Sequence, residues 1–173
     1  MLDLIIKNGS CYIDKDLKDQ DIAIKDGKII KIGKIDNEAK EVFDAKGLTV
    51  LPGCIDTQTH FREPGSTDTE DLHSGSRAAI VGGITSVFEM PNTNPPTSTK
   101  VEFQKKLDLA KNRMYCNYAF YFGATADNAN ELADLVNLEG CCGIKLFAGS
   151  STGNLLVAEE EDIEKVFQSS SKV

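Results

Sequence analysis

Apolar and polar residues alternate through the first part of the chain, and this period of two predicts β-strands. The alternation returns several times before residue 50, in the runs 4–6, 22–24 and 29–32. The last two runs flank Asp26-Gly27, a dipeptide typical of two-residue hairpin turns because both turn positions take a positive φ. A further short strand is expected at about 48–55. Residues 1–50 are therefore predicted to form a small β-sandwich portion.

From residue 51 to residue 173, strand-like and helix-like segments alternate, which indicates βα units around a parallel sheet. The predicted strands are 54–60, 84–90, 115–122 and 142–148, and the predicted helices are 72–81, 99–112, 128–138 and 159–168. The acidic run Glu159–Glu161 is assigned to the start of the last helix, where the helix dipole favours negative charge. The predicted fold class is α/β, a partial (β/α)8 TIM barrel of about four βα units that follows the β-sandwich portion.

A closed barrel of this type needs eight units and about 250 residues, so a chain of 173 residues is expected to hold an incomplete one. The last strand would then present an unpaired edge, and the apolar inner face of the sheet would meet solvent. We therefore expect self-association, or a second chain that completes the barrel.

Charge and composition exclude several other classes of protein. The net charge of −8 and the isoelectric point near 4.8 disfavour nucleic acid as a partner, because phosphate backbones are repelled. No segment is apolar for long enough to span a membrane, and the N-terminus lacks the features of a signal peptide. The five cysteines are odd in number and scattered, which favours reduced thiols in a cytoplasmic protein over a disulfide framework.

The residues with the clearest chemical potential lie at the end of the first predicted barrel strand. Alternate residues of a strand point to the same face, so we expect one shared face for four polar side chains, Asp56, Gln58, His60 and Arg62. Active sites of (β/α)8 barrels lie at the carboxyl ends of the strands. The sequence therefore predicts a functional site here.

Three segments resemble the amidohydrolase superfamily, and dihydroorotases in particular. Residues 53–65 are similar to the first-strand signature of that superfamily, and the ending Phe61-Arg62-Glu63-Pro64-Gly65 is similar to its dihydroorotase version. Residues 90–95, Met-Pro-Asn-Thr-Asn-Pro, resemble the dihydroorotase loop after the second strand. Residues 143–153 resemble the segment that closes the fourth strand. The resemblance covers nearly the whole chain and keeps the three motifs in order.

The resemblance implies a zinc-dependent hydrolase site for a cyclic amide. His60 and Lys145 take the places of metal ligands, the lysine being the one that many relatives carboxylate to bridge two zinc ions. By the same resemblance, Arg62 and Asn92 occupy the positions that bind the substrate carboxylate. A guanidinium can form two parallel hydrogen bonds with a carboxylate, and an amide adds a neutral donor. The implied cofactor is zinc, which lowers the pKa of a bound water towards 7.

The sequence also departs from the family pattern. Gln58 stands where the family has its first histidine, and its amide oxygen is a weak, uncharged ligand for zinc. The family takes two further metal histidines and its general base, an aspartate, from later strands, whereas this chain has only His60 and His73. We therefore expect no catalytic base in the chain, and a truncated, inactive dihydroorotase-like homologue. The alternatives are half of a split zinc-dependent amidohydrolase, or a non-catalytic partner of an enzyme of pyrimidine synthesis.

Each candidate residue also has an ordinary structural interpretation. His60 is a hydrogen-bonded core histidine in that case, and Lys145 is a simple strand-end lysine. Arg62 pairs with a neighbouring carboxylate, either Glu63 or Asp56.

Two further segments are assigned to packing and turns. The adjacent Cys141 and Cys142 point to opposite faces of an extended strand, which disfavours joint metal binding. Gly149 and Gly153 flank three hydroxyl residues, and the segment forms either an anion cradle or a turn before the last helix.

Overall fold

The computed structural model of the protein describes residues 1–149, 154–171 and 173. The chain divides into two compact units, Met1–Pro52 and Gly53–Val173.

The first unit is built on one mixed sheet of five strands. These are β1 (Leu2–Ile13), β2 (Asp16–Lys25), β3 (Lys28–Gly33), β4 (Ala39–Asp44) and β5 (Thr49–Val50). Their order is β3-β2-β1-β4, with β5 also paired to β1; β1, β2 and β3 run antiparallel, whereas β4 and β5 are parallel to β1. The core of this unit is one cluster of buried apolar residues, Leu2, Ile5, Ala23 and Ile35.

Two tight turns set the order of the antiparallel strands. Asp26 and Gly27 connect β2 to β3 with φ angles of 50° and 72°, so the hairpin predicted from this dipeptide is confirmed. Asp14 and Lys15 connect β1 to β2 with φ angles of 53° and 68°. This second turn was not predicted, because it lacks the glycine that makes such turns visible in a sequence.

The second unit alternates strands and helices around a parallel four-stranded sheet, which confirms the predicted partial (β/α)8 barrel. Its elements are β6 (Cys54–Thr59), α1 (Leu72–Val81), β7 (Ile84–Glu89), α2 (Lys100–Ala110), β8 (Asn117–Gly123), a 3₁₀ helix (Ala129–Leu135), β9 (Cys141–Lys145) and α3 (Glu160–Ser170). The strand order is β6-β7-β8-β9, so β6 and β9 are the edges of the described sheet.

The core of the second unit lies between the sheet and its helices. Phe103 of α2 is fully buried against Phe120 and Phe122 of β8, with ring centroids 6.4 and 6.1 Å apart. Burying an aromatic side chain of this size contributes about 2 to 3 kcal/mol. Packing of α2 onto β7 and β8 therefore fixes the position of the loop that follows β7.

The helices begin at residues that satisfy their free backbone N–H groups. Asp71 accepts a hydrogen bond from Ser74 N at the start of α1, and Thr99 accepts one from Glu102 N at the start of α2. The first turn of α3 carries three acidic residues, which confirms that the acidic run begins a helix. None of these helices, within the described part of the chain, is long and apolar enough to cross a membrane.

The helix predicted at 128–138 is present in the structure as a shorter 3₁₀ helix, Ala129–Leu135. Its three buried residues, Ala129, Leu132 and Leu135, are spaced by three. In a 3₁₀ helix residues three apart lie directly above one another, so this winding turns all three towards the core.

The single strand predicted at 48–55 is wrong. The structure divides it into β5, which ends at Val50, and β6, which begins at Cys54. Pro52 lacks the N–H that a ladder requires. A Cβ at Gly53 would lie 2.1 Å from the Thr85 hydroxyl, so the backbone there passes close to β7.

Candidate active site at the ends of the first two barrel strands

The loops after β6 and β7 lie against each other at the carboxyl ends of these strands. Met90 N donates to Thr59 O at 2.8 Å, and Asn94 N donates to Pro64 O at 3.0 Å. Gly65 has a φ of +123°, and a Cβ there would lie 3.0 Å from the Asn94 Cβ. A residue with a side chain would therefore push the two loops apart.

His60 and Asn92, two residues singled out from the sequence, are in direct contact. The His60 Nδ1 lies 2.9 Å from the Asn92 Oδ1, and both side chains are partly buried. An amide oxygen only accepts, so the His60 Nδ1 is the donor in this contact, and Nε2 is the ring nitrogen that does not face the Asn92 oxygen. The contact thus directs the His60 Nε2 away from Asn92.

A pocket of about 410 Å³ opens beside this contact. The residues that line it come from the two loops, namely Phe61, Arg62, Pro64, Ser66, Asn92, Thr93, Asn94 and Pro96. Arg62 and Asn92 thus share one pocket, and Arg62 is exposed to the solvent that fills it. A guanidinium beside an amide is suited to bind a carboxylate.

Glu63 does not pair with Arg62. Its carboxylate accepts two hydrogen bonds from the Arg113 guanidinium, at 2.9 and 3.1 Å, and a third from Leu72 N at 2.9 Å. The buried Glu63 raises the pKa of Arg113 through this pairing. Of the two carboxylates considered as alternative partners of Arg62, Glu63 is thus paired with Arg113, and it anchors the Arg62 loop to the start of α1 and to the segment just after α2.

Gln58 lies where β6 is irregular. Asp56 pairs with Val87 and Thr59 with Glu89, so three steps along β6 match two steps along β7. The strand itself ends at Thr59. The regular alternation behind the predicted shared face of Asp56, Gln58, His60 and Arg62 is therefore interrupted.

Lys145 is the last residue of β9, at the end of the fourth strand as predicted. Its ammonium lies 5.0 Å from the centre of the Phe147 ring, a cation–π contact. His73 lies on α1, where its Nε2 is 3.3 Å from the Tyr115 hydroxyl. Residues 150–153 of the predicted anion cradle or turn fall outside the described residues.

The fit of this site to zinc is incomplete. Zinc takes about four protein or water ligands, and a catalytic site supplies about three of them from side chains. Within residues 1–149, 154–171 and 173, no group of three or more His, Cys, Asp or Glu side chains is arranged to hold a metal ion. His60 and Lys145 alone do not complete such a site.

Sequence reasoning missed a buried ion pair beneath the Asn92 loop. The Lys106 ammonium of α2 pairs with the Glu89 carboxylate at the end of β7, and both side chains are at most 1% exposed. Burial raises the pKa of Glu89 to about 7, against the opposing effect of Lys106, and burial lowers the pKa of Lys106. The buried residues of α2 are Phe103, Lys106 and Ala110. A lysine within the apolar stripe of a helix could therefore have indicated the buried ion pair from the sequence.

Parallel strands followed by helices, with polar loops gathered beyond the carboxyl ends of the strands, define part of a (β/α)8 barrel with its site on the usual face. The chain belongs to the amidohydrolase family, whose family model matches residues 49–168.

Known relatives have several specificities. The chain is 40% identical over 163 residues to a dihydroorotase from Methanosarcina mazei, and 41% identical over 149 residues to an allantoinase from Escherichia coli O1:K1. These matches cover 93% and 86% of this chain but 36% and 33% of the relatives, so the chain spans about a third of their length. The L-hydantoinase of Arthrobacter aurescens has a similar structure, with a TM-score of 0.88 and 31% identity over 97% of this chain and 38% of that one.

Proposed function

We propose that the chain supplies the carboxylate-binding part of a dihydroorotase-type active site, in which Arg62 and Asn92 hold the substrate carboxylate. The shared pocket of these two residues is the observation that supports this assignment. Arg62 is exposed there, and Glu63, the nearest carboxylate in sequence, is occupied by Arg113. The Arg62 charge also opposes the raised pKa of the buried Glu89 carboxylate, and because the Arg62 side chain is exposed in the pocket it can contact an anionic ligand as well.

A charged pocket favours one of the specificities found among the relatives. Dihydroorotate carries a carboxylate on its ring, whereas allantoin and hydantoin rings carry no carboxylate. Hydrogen bonds between a guanidinium and a carboxylate contribute about 1.5 to 3 kcal/mol, and this contribution is lost with a neutral ring. A neutral cyclic amide is the second candidate ligand, favoured by the similarity to an allantoinase and an L-hydantoinase.

Binding measurements separate the two candidates. We expect dihydroorotate to bind the 173-residue chain more tightly than dihydrouracil, which is the same ring without the carboxylate. Arg62→Met should weaken dihydroorotate binding by about tenfold or more and leave dihydrouracil binding unchanged. Arg77→Met is the matched control, since Arg77 is exposed on α1. Equal affinity for both ligands, or no effect of Arg62→Met, would overturn the carboxylate assignment in favour of a neutral ring.

Catalysis is expected to need more than this chain. By the family resemblance His60 and Lys145 are only part of a zinc site, which the described residues of this chain do not complete. The family resemblance places the remaining ligands and the general base on later strands, and loss of a general base alone costs about 10² to 10⁴ in rate. We expect the 173-residue polypeptide to show no turnover of dihydroorotate or carbamoyl aspartate. Turnover that a chelator abolishes would contradict this expectation.

The remaining four βα units of a barrel come from elsewhere in this proposal, either further along a longer chain or on a second chain. The described sheet ends at β6 and β9, and Ile55 of β6 is 57% exposed. A bare strand edge beside apolar surface promotes association. We expect self-association of the cytoplasmic 173-residue chain, and a monodisperse monomer in sedimentation at tens of micromolar would count against it. A non-catalytic role beside an enzyme of pyrimidine synthesis would use the same edges.

A further inference from the structure

We propose that Glu89 and Lys106 are positioning residues that hold Asn92 in place for ligand binding. This inference rests on the proposed role of Asn92 in the pocket. It assigns a function to an ion pair that lies beneath the pocket and is not among the residues that line it.

The hydrogen bonds of Lys106 are the first observation that supports the proposal. An ammonium has three N–H donors. Lys106 forms its ion pair with Glu89, and it also donates to Met90 O at 3.3 Å and to the Thr93 hydroxyl at 3.4 Å. The ion-pair partner and the two hydrogen-bond acceptors all lie between residues 89 and 93, on both sides of Asn92. The ammonium therefore holds the Met90 backbone, which precedes Asn92, and the Thr93 side chain, which follows it.

The second observation is the continuation of these bonds through the loop. The Thr93 hydroxyl donates to Pro95 O at 2.9 Å and lies 3.4 Å from the hydroxyl of the buried Thr97. Thr93 N and Thr97 N both donate to Pro91 O at 2.9 Å. The loop is thus closed on itself, and Lys106 connects it to α2.

The Lys106 stem is itself held firmly. Its ammonium lies 5.3 Å from the centre of the Phe120 ring, and its side chain is 1% exposed. Phe120 packs against Phe103 of the same helix. A side chain in such surroundings has few alternative rotamers, so it transmits the position of α2 to the loop.

A buried ion pair is by itself weak evidence for a role in stability. Replacing both members of a buried ion pair by apolar residues of similar volume often leaves stability unchanged or raises it, whereas removing one member leaves a buried charge unpaired. The double variant Glu89→Leu/Lys106→Met therefore removes the contacts to Met90 and Thr93 without an unpaired charge. With this variant, an effect on the position of Asn92 can be measured apart from an effect on the stability of the fold.

The experiment compares this double variant with Lys105→Met. Lys105 is adjacent on α2, is exposed, and pairs with Glu102 on the surface, so it controls for loss of a lysine from this helix. The first readout needs no ligand, because it is the chemical shift and line width of the Asn92 side-chain amide in ¹⁵N-labelled protein. The second readout is the dissociation constant for dihydroorotate.

We expect the double variant to shift and broaden the Asn92 amide signals and to weaken dihydroorotate binding about tenfold, the value of one good hydrogen bond to a charged group. Lys105→Met should change neither, and the urea midpoint of the double variant should be no lower than that of the wild type. Unchanged Asn92 signals in a folded double variant would overturn the positioning role. If the double variant unfolds, Lys106→Arg replaces it, because this substitution keeps the charge but alters the donor geometry. Unchanged Asn92 signals in Lys106→Arg would equally overturn the positioning role.

The two proposals fail differently. If wild-type protein does not bind dihydroorotate, the proposed function fails, whereas the Asn92 amide signals still test the positioning role. If wild-type protein binds and the double variant binds equally well, the positioning role is wrong and the proposed function stands.

Discussion

The His60 Nδ1 lies 2.9 Å from the Asn92 Oδ1, so the residue that follows the first barrel strand directly contacts a residue of the loop after the second. This contact links a candidate metal ligand to a candidate ligand of the substrate carboxylate. It also determines the tautomer of the imidazole, because only a protonated Nδ1 can donate to the amide oxygen.

The first prediction concerns this tautomer. At a pH where the imidazoles are neutral, we expect His60 to carry its proton on Nδ1 in the wild type. Asn92→Ala removes the acceptor, so the proton should redistribute towards Nε2. Long-range ¹H–¹⁵N spectra distinguish the two forms, and the assignment is simple because the chain has only two histidines.

His73 is the internal control for that measurement, since it lies on α1 beside Tyr115, apart from the loops that carry His60 and Asn92. Its signals should not respond to Asn92→Ala. If His60 has the same tautomer in both proteins, the contact with Asn92 does not determine it.

The second prediction concerns the anchor of the Arg62 loop. Among the described residues, Arg113→Met leaves the buried Glu63 carboxylate with one hydrogen bond, from Leu72 N. We expect a loss of about 2 kcal/mol in the free energy of unfolding, the usual effect of removing a charged partner from a mostly buried group. Urea denaturation measures it, with Arg77→Met on α1 as a surface control expected to change stability by less than about 0.5 kcal/mol. Similar losses in both variants would argue against the anchor.

The third prediction concerns pH. The native pKa of Glu89 is about 7 because of burial, compared with 4.5 for an ordinary glutamate. Between these pH values the native chain binds more protons at Glu89 than the unfolded chain, so the free energy of unfolding should fall as pH rises. The contribution is at most about 3 kcal/mol. Glu89→Gln should remove this fall.

Urea denaturation at several pH values between 4.5 and 7 gives the slope for each protein. The exposed Glu139 provides the control, since Glu139→Gln should leave the wild-type slope unchanged. Parallel slopes for wild type and Glu89→Gln would show that Glu89 does not titrate in this range.

The fourth prediction concerns Gln58. Gln58→His places a second imidazole two residues before His60, and histidine is a far better zinc ligand than an uncharged amide. We expect tighter zinc binding in the variant than in the wild type by calorimetric titration, with no gain in turnover. Equal affinity would mean that the irregularity between Asp56 and Thr59 turns position 58 away from His60. His60 would then have to be withdrawn as a metal ligand of this type.

The sequence by itself determined those features that depend on neighbouring residues. Asp26-Gly27 specified its hairpin because few residue pairs tolerate two positive φ angles, and α1 and β7 were located from the alternation of strand-like and helix-like segments. The motif around Arg62 and the one around Asn92 were visible for the same reason, since each is a continuous run of residues.

Only the tertiary structure decided which side chains meet. Glu63 and Arg113 are 50 positions apart, and Lys106 pairs with Glu89 of β7, although Glu102 lies four residues before it on its own helix and pairs with Lys105 instead. Such contacts depend on how α2 packs onto β7 and β8, and a local pattern carries no information about that packing. In the same way, the irregularity in β6 arises from pairing with β7. Burial in a shared core selects these pairs, because a charged group removed from water must find its partner wherever the fold provides one.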